Sequence, residues 1–168
     1  MTGGAPDPRW SGREDSPGIL VLPPLVYLAA FGVGGLVDRL RPWPLAESWA
    51  ALDALRWAGF AALAVGLALD LWSLSLFLRA KTSALPFRPA SAIVARGPYR
   101  FTRNPMYLGM TLTLAGVGLV LGRTWILLAA LGGALVMDRY AIRREERYLE
   151  RRFGPEYADY RRRVRRWL

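Results

Sequence analysis

The chain has 168 residues, 53% of them hydrophobic, yet its formal net charge is +10, a pair of properties that one soluble domain rarely combines. Apolar segments that cross lipid, together with basic segments at one surface, explain both. The absence of cysteine and histidine excludes disulfides, thiol nucleophiles, Cys-ligated metals and the commonest general base. Chemistry must therefore use carboxylates, tyrosine, arginine, backbone groups, the single lysine Lys81 or a cofactor.

The N-terminal part predicts a polar leader followed by two spans. Residues 1–16 mix glycine, proline and charge, and we expect them to be disordered. Residues 17–37 form an apolar run that can cross a bilayer and is long enough to be retained rather than cleaved. Pro23-Pro24 either kinks this helix or marks its true start. A loop over residues 38–54 leads to the second apolar run, residues 55–78.

An acidic residue, Asp70, lies inside the second run. A carboxylate within a span is costly and usually faces the interior of the bundle. We interpret Asp70 as a candidate substrate contact, and a polar packing contact is the equally open alternative.

The third and fourth runs, residues 105–121 and 124–137, are joined directly at Gly122-Arg123-Thr124. Such a short link predicts an antiparallel hairpin of two helices. Gly118 and Gly122 form a GxxxG pair at the end of the third run, and the fourth run has several small residues; such small faces let membrane helices approach closely.

The C-terminal part predicts a helical extension outside the membrane. Residues 138–152 should continue the fourth helix, and Gly154-Pro155 should end it. Residues 156–168 predict a last amphipathic helix, whose apolar face suits either an anionic bilayer surface or packing on the domain. That face carries Tyr157, Tyr160, Val164 and Trp167.

Charge predicts the orientation. Residues 79–104 carry six basic residues and no acid, residues 138–168 carry eleven basic and six acidic residues, and residues 38–54 carry two basic and three acidic. Four spans place the two basic segments on one side, which the positive-inside rule makes cytoplasmic. We therefore expect an all-α fold: an integral membrane bundle of four transmembrane helices over residues 17–168, with a cytoplasmic C-terminal helical extension and both termini in the cytoplasm.

The most informative stretch is Gly97–Gly109, a basic and aromatic loop that runs into the third span. Its Arg103-Asn104-Pro105-Met106-Tyr107 segment should face Glu145-Glu146 at the end of the fourth helix, because the tight hairpin brings both ends together. Paired acids beside a basic loop can hold a zwitterionic or cationic ligand. A loop that only sets topology, with surface ion pairs, is the open alternative. No nucleotide-binding loop or metal-ligand spacing is found, and no nucleic-acid partner is expected.

The segment from Pro86 to Gly109 and the later Glu-Glu-Arg-Tyr-Leu-Glu-Arg-Arg-Phe-Gly-Pro-Glu-Tyr-Ala-Asp-Tyr run resemble the isoprenylcysteine carboxyl methyltransferase family. That family is related more loosely to the phospholipid N-methyltransferases. The resemblance implies an integral-membrane methyltransferase that uses S-adenosylmethionine in a cytoplasm-facing pocket, with a lipid or apolar substrate entering from the bilayer. It implies cofactor contacts at Ser91, Ala92, Ile93, Val94, Tyr99, Asn104, Pro105, Met106, Tyr107, Glu145 and Glu146. We further expect catalytic roles for three of the charged and polar residues: Glu145 binds positive or hydroxyl groups of the cofactor, and Arg103 and Asn104 shape the pocket.

Two positions depart from the family pattern. Better-known members have histidine where this chain has Asn104, and asparagine does not titrate near neutrality, so a histidine base is excluded. Some relatives place an arginine for the substrate carboxylate where this chain has Ala141. Arg139 or Arg144 would have to substitute, so the match to a prenylcysteine substrate fails there.

Two other functions fit the same residues. Membrane sterol-type reductases, which use NADPH, resemble this group in their C-terminal halves. A non-enzymatic membrane protein whose basic tail binds anionic lipid is the other. Methyl transfer is favoured because Glu145-Glu146 and the Asn104-Pro105-Met106-Tyr107 segment have no purpose in a non-enzymatic protein. It is also consistent with the composition, since the cofactor supplies the electrophile and neither histidine nor cysteine is needed.

Overall fold

The structure, a computed structural model, describes residues 16–83 and 89–168. The predicted disorder of residues 1–16 lies outside this range except for Ser16. The described residues form an all-helical fold with two isolated β-bridges. Its elements are α1 (Pro23–Leu40), α2 (Trp49–Arg79), a 3₁₀ turn (Gly97–Arg100), α3 (Pro105–Leu121), α4 (Thr124–Met137), a π-helical turn (Asp138–Ile142), α5 (Arg143–Phe153) and α6 (Pro155–Arg163).

Local sequence explains where the helices begin and end. Proline occupies the first turn of α1, where its missing N–H is tolerated, so α1 starts at Pro23 rather than at residue 17. The helix α2 begins earlier than predicted because Ser48 caps it, accepting a hydrogen bond from the Ala51 amide. The left-handed Gly122 (φ 65°) ends α3.

The four long helices lie side by side in the order α2, α3, α4 and α1. The closest approach joins α2 to α3, where glycines of the two helices face each other. A Cβ added to Gly59 would lie 2.8 Å from the Gly116 carbonyl oxygen, and one added to Gly66 would lie 2.7 Å from the Gly109 carbonyl oxygen. Only glycine allows this spacing, as in other membrane bundles.

Within residues 16–83 and 89–168, two helices are long and apolar enough to cross a membrane. One is α2, and the other is the continuous helix Thr124–Phe153, which contains α4, the π-helical turn and α5. The helix α3 is apolar but shorter. Large apolar side chains such as Trp57, Phe60 and Leu71 are exposed along α2, as expected for a surface that faces lipid. Length and composition thus support two of the four predicted spans.

The two ends of the bundle are built differently. At one end the loop before α2 packs on the α3–α4 turn, where Arg123 pairs with the buried Asp38 at 2.9 Å. The Leu45 amide also donates to the Gly122 carbonyl there. At the other end, residues 89–104 meet α5, α6 and the C-terminal residues, so the two basic segments share one end of the molecule.

The prediction of a helix over residues 156–168 is wrong beyond residue 163. The helix α6 ends at Arg163, and Val164 adopts an extended conformation. Residues 164–168, which we call the C-terminal tail, run back along the start of α3, where the Arg103 amide donates to the Arg165 carbonyl at 2.9 Å. The apolar spacing of the sequence continues through Val164, although the chain leaves the helix there.

The apolar face of α6 is covered by the protein itself. Tyr157, Tyr160 and Val164 are buried in one cluster, with Ile93 and Leu149 packed against it. This is the packing alternative that the sequence left open, and it leaves the arginines of α6 on the outer surface.

Candidate functional site

A pocket lies at the basic end, between the segment before α3, the start of α3, α5 and α6. The empty space between its walls is about 1030 Å³, part of it open to solvent. The predicted site residues that line it are Ala92, Ile93, Val94, Tyr99, Arg103, Asn104, Met106, Tyr107, Glu145 and Glu146.

Three predicted residues do not line the pocket. Ser91 is exposed, and its amide donates to the Thr82 hydroxyl at 2.9 Å, which fixes the segment beside the pocket. Pro105 is fully buried in the first turn of α3. Asp70 packs against Gly109 at the α2–α3 interface, so its contact with a substrate stays a prediction.

Tyr107 and Glu145 join α3 to α5 at the pocket wall. The Tyr107 hydroxyl donates to Glu145 Oε1 at 2.7 Å. The Tyr107 carbonyl accepts from the Thr111 hydroxyl at 2.7 Å, and Tyr27 of α1 reaches both groups. Three helices therefore fix the position of the tyrosine, and through it the position of the carboxylate.

Glu145 lies beyond the apolar part of its helix and titrates in an unusual range. Burial raises its pKa to about 7, the hydrogen bond from Tyr107 opposes that rise, and the neighbouring Glu146 adds to it. In a chain without histidine, this gives the pocket a carboxyl group that changes charge near neutral pH.

Glu146 is held by two arginines. Arg166 of the C-terminal tail binds its carboxylate at both oxygens, Nε to Oε1 at 3.1 Å and Nη2 to Oε2 at 2.6 Å. Arg103 reaches Oε1 with Nη2 at 3.1 Å. Side chains of Arg103 and Glu146 are each only 10% exposed, so this is a shielded ion pair rather than a surface one.

Arg103 has donors to spare. Its Nε and Nη1 atoms are buried and have no hydrogen-bond partner within residues 16–83 and 89–168, and the residue lines the pocket. The nearby Tyr157 hydroxyl has a pKa raised to about 12, chiefly by burial, against which the guanidinium acts. Unpaired buried donors are costly, so this wall is suited to an oxyanion of a ligand.

Asn104 ties the start of α3 to the C-terminal tail. Its side-chain amide donates to the Arg166 carbonyl at 2.9 Å, and its backbone amide donates to the Thr102 hydroxyl at 3.2 Å. The Thr102 hydroxyl donates in turn to the same Arg166 carbonyl. Asn104 thus makes a fixed hydrogen bond and, unlike histidine, cannot take up or release a proton near neutral pH.

Arg139 and Arg144, which would have to replace an arginine missing at position 141, do not line the pocket. Ala141 itself is fully buried. Arg144 donates to the Gly18 carbonyl and stacks on the Tyr140 ring, and Arg139 is exposed. The departure from the prenylcysteine pattern therefore has no compensation among these side chains.

Sequence reasoning missed several residues of the site. The Tyr148 hydroxyl accepts from the Ala90 amide at 3.0 Å, and the Tyr160 hydroxyl donates to the Tyr99 carbonyl at 2.8 Å. Tyr148 could have been found, because it lies three residues after Glu145 on the same face of a helix. No sequence pattern marks Arg166, because its partner Glu146 lies twenty residues away in the chain.

This arrangement defines a helical membrane protein with a pocket at one end of its bundle, lined by apolar side chains and a few charged ones. The sequence profile of the phospholipid methyltransferase family matches residues 54–156, more than half of the chain, and the chain belongs to that family. The family is part of the isoprenylcysteine carboxyl methyltransferase-like group of membrane methyltransferases, so the resemblance read from the motifs is confirmed.

The other comparisons add little about activity. An uncharacterized protein of Haemophilus influenzae is 44% identical over 63 residues, which are 38% of this chain and the whole of that protein. No solved structure matches the chain. The family and the two long apolar helices together indicate a membrane methyltransferase.

Proposed function

We propose that the protein is an integral membrane methyltransferase that moves a methyl group from S-adenosylmethionine to a lipid or apolar small molecule entering from the bilayer. The observation that carries this proposal is the meeting of Arg103, Tyr107 and Glu145 around one pocket. These groups come from two segments that lie 38 residues apart in the chain, and each offers a different polar contact.

The residues present fit this cofactor. S-adenosylmethionine carries a sulfonium, an amino group, ribose hydroxyls, a carboxylate and an adenine ring. Ionised Glu145 would hold the amino group or the hydroxyls, and the unpaired donors of Arg103 would hold the carboxylate. Apolar side chains of the wall, such as Ile93 and Met106, would cover the ring.

The protein's own contribution is binding, orientation and exclusion of water. The cofactor supplies the reactive methyl group, and its in-line transfer requires that the accepting atom be held in the correct direction. Glu145 is fixed by Tyr107 before any ligand binds. An amine acceptor must lose a proton before it attacks the methyl group.

We propose further that α1 and α3 also cross the bilayer, that both termini are cytoplasmic, and that the pocket opens at the cytoplasmic leaflet. The exposed apolar surface of α2 would then face lipid beside the pocket. Exposed arginines on the outer surface of α5 and α6, Arg151, Arg152, Arg162 and Arg163, would face anionic head groups.

Transfer of a labelled methyl group tests the function directly. The purified chain, in vesicles of extracted lipids, is expected to move the label from S-adenosylmethionine into the lipid fraction. A titration with NADPH is expected to give no binding. Binding of NADPH without S-adenosylmethionine would favour a reductase, and binding of neither would favour a non-enzymatic lipid-binding protein.

Tyr107→Phe is expected to weaken binding of S-adenosylhomocysteine by about 10-fold, because the ring stays while the hydrogen bond to the charged Glu145 is lost. Calorimetry in detergent measures the affinity. Tyr140→Phe, which removes a hydroxyl outside the pocket, is the matched control. Equal affinities for the two variants would contradict the role of Tyr107.

A further inference from the structure

The C-terminal tail binds both sides of the pocket at once. The Arg166 carbonyl accepts from Asn104 at the start of α3, while the Arg166 guanidinium binds Glu146 of α5. Trp167 adds a hydrogen bond from Nε1 to Asp138 Oδ1 at 3.0 Å. The tail therefore connects the two segments whose side chains form the proposed cofactor site.

Arg166 and Arg103 share one carboxylate. Arg166 occupies both oxygens of Glu146 in a two-point fork, and Arg103 is left with a single contact at Oε1. In the absence of Arg166, the Oε2 atom of Glu146 would have no partner. Arg103 is the buried cation beside it, and two of its donor atoms have no hydrogen-bond partner. Its guanidinium would turn to fill that oxygen, because a two-point pair is stronger than a one-point pair.

We propose that Arg166 is a positioning residue: by occupying Glu146 it keeps the guanidinium of Arg103 at the pocket wall, where it binds the carboxylate of the cofactor. This inference rests on the proposed function. It gives the last residues of the chain a role in ligand selection, although no atom of Arg166 lines the pocket.

The test compares two ligands that differ by one carboxylate. S-adenosylmethionine and its decarboxylated form are titrated against the full chain in detergent, for the wild type, Arg166→Ala and Arg163→Ala. Arg163 is the matched control, because it is an exposed arginine at the end of α6 whose Nε donates to the Asp159 carbonyl. Amide hydrogen exchange at Arg103, which donates to the Arg165 carbonyl, reports whether the tail stays docked.

The expected result is selective. Arg166→Ala should lose about 10-fold in affinity for S-adenosylmethionine, the loss of one charged hydrogen bond, and less than about 2-fold for the decarboxylated form, whereas Arg163→Ala should match the wild type. An equal loss for both ligands, or no loss, would overturn the positioning role, since a general loosening of the fold affects both alike.

Failure of the proposed function gives a different outcome. If the wild type binds neither ligand, the assignment of the cofactor is wrong, and the positioning role, which rests on it, is overturned with it. If the wild type binds both ligands, equal exchange of the Arg103 amide in Arg166→Ala and Arg163→Ala, together with the selective loss, supports positioning of Arg103 by Arg166. Faster exchange in Arg166→Ala would show that the tail has left the start of α3 and would overturn it.

Discussion

Glu145→Ala is expected to weaken binding of S-adenosylmethionine by about 10- to 100-fold, the range for hydrogen bonds to a charged group. The change removes the carboxylate that Tyr107 fixes at the pocket wall. It also leaves the Tyr107 hydroxyl without its acceptor, which adds to the loss. Calorimetry with the full chain in detergent measures the affinity.

The affinity should also depend on pH. Because burial raises the pKa of Glu145 to about 7, its carboxyl group is mostly protonated at pH 6 and mostly ionised at pH 8. Affinity for the positively charged cofactor should therefore rise through this window in the wild type and stay flat in Glu145→Gln. The free energy of unfolding should depend on pH in the opposite sense. Because the raised pKa of Glu145 favours its protonated form in the folded state, the contribution of Glu145 to stability is lost as the pH rises through 7.

Glu150→Gln provides the control for both measurements. Glu150 lies on the same helix but is exposed and pairs with Arg161 at 3.3 Å. Its replacement should leave affinity and its pH dependence unchanged. A Glu145→Ala variant that binds as tightly as Glu150→Gln would remove Glu145 from the site.

Gly66→Ala is expected to destabilise the bundle by about 2 kcal/mol or more, the usual cost of overpacking a tight interface. The added methyl group would lie 2.5 Å from the Thr113 hydroxyl oxygen and 2.7 Å from the Gly109 carbonyl oxygen. The second atom belongs to the backbone of α3, so one whole helix must move. Thermal unfolding in detergent should show a midpoint lower by several degrees.

Gly132→Ala is the matched control for this prediction. It is also a glycine in a long helix, but a methyl group added there meets nothing within 4 Å. Its midpoint should equal that of the wild type or exceed it slightly, because alanine favours the helix. Equal midpoints for the two variants would show that α2 and α3 do not approach as closely as described.

The helices could be predicted well because their signals are local. Residues 105–121 and 124–137 match α3 and α4 residue for residue, since Pro105, Gly122 and the apolar runs mark the ends. Gly154-Pro155 separates α5 from α6 as predicted. The start of α1 depended on whether Pro23 kinks a helix or begins one, which the sequence alone left open.

The contacts between distant segments could not be predicted. The glycines of α2 and α3 are spaced seven residues apart, so no GxxxG pattern marks them, and their pairing requires knowing which helices are neighbours. The sequence predicts a helix through the tail because Val164 continues the spacing of Tyr157 and Tyr160. Only the structure shows that it leaves α6 to bind Asn104.

The most direct measurement of the central claim is photoaffinity labelling with an azido derivative of S-adenosylmethionine, followed by mass spectrometry of the peptides. The account predicts that label falls on the segments 92–94, 103–107 and 145–149, and that excess S-adenosylhomocysteine displaces it. Label confined to the lipid-facing surface of α2, or label that the competitor does not reduce, would contradict a cofactor pocket between the start of α3 and α5.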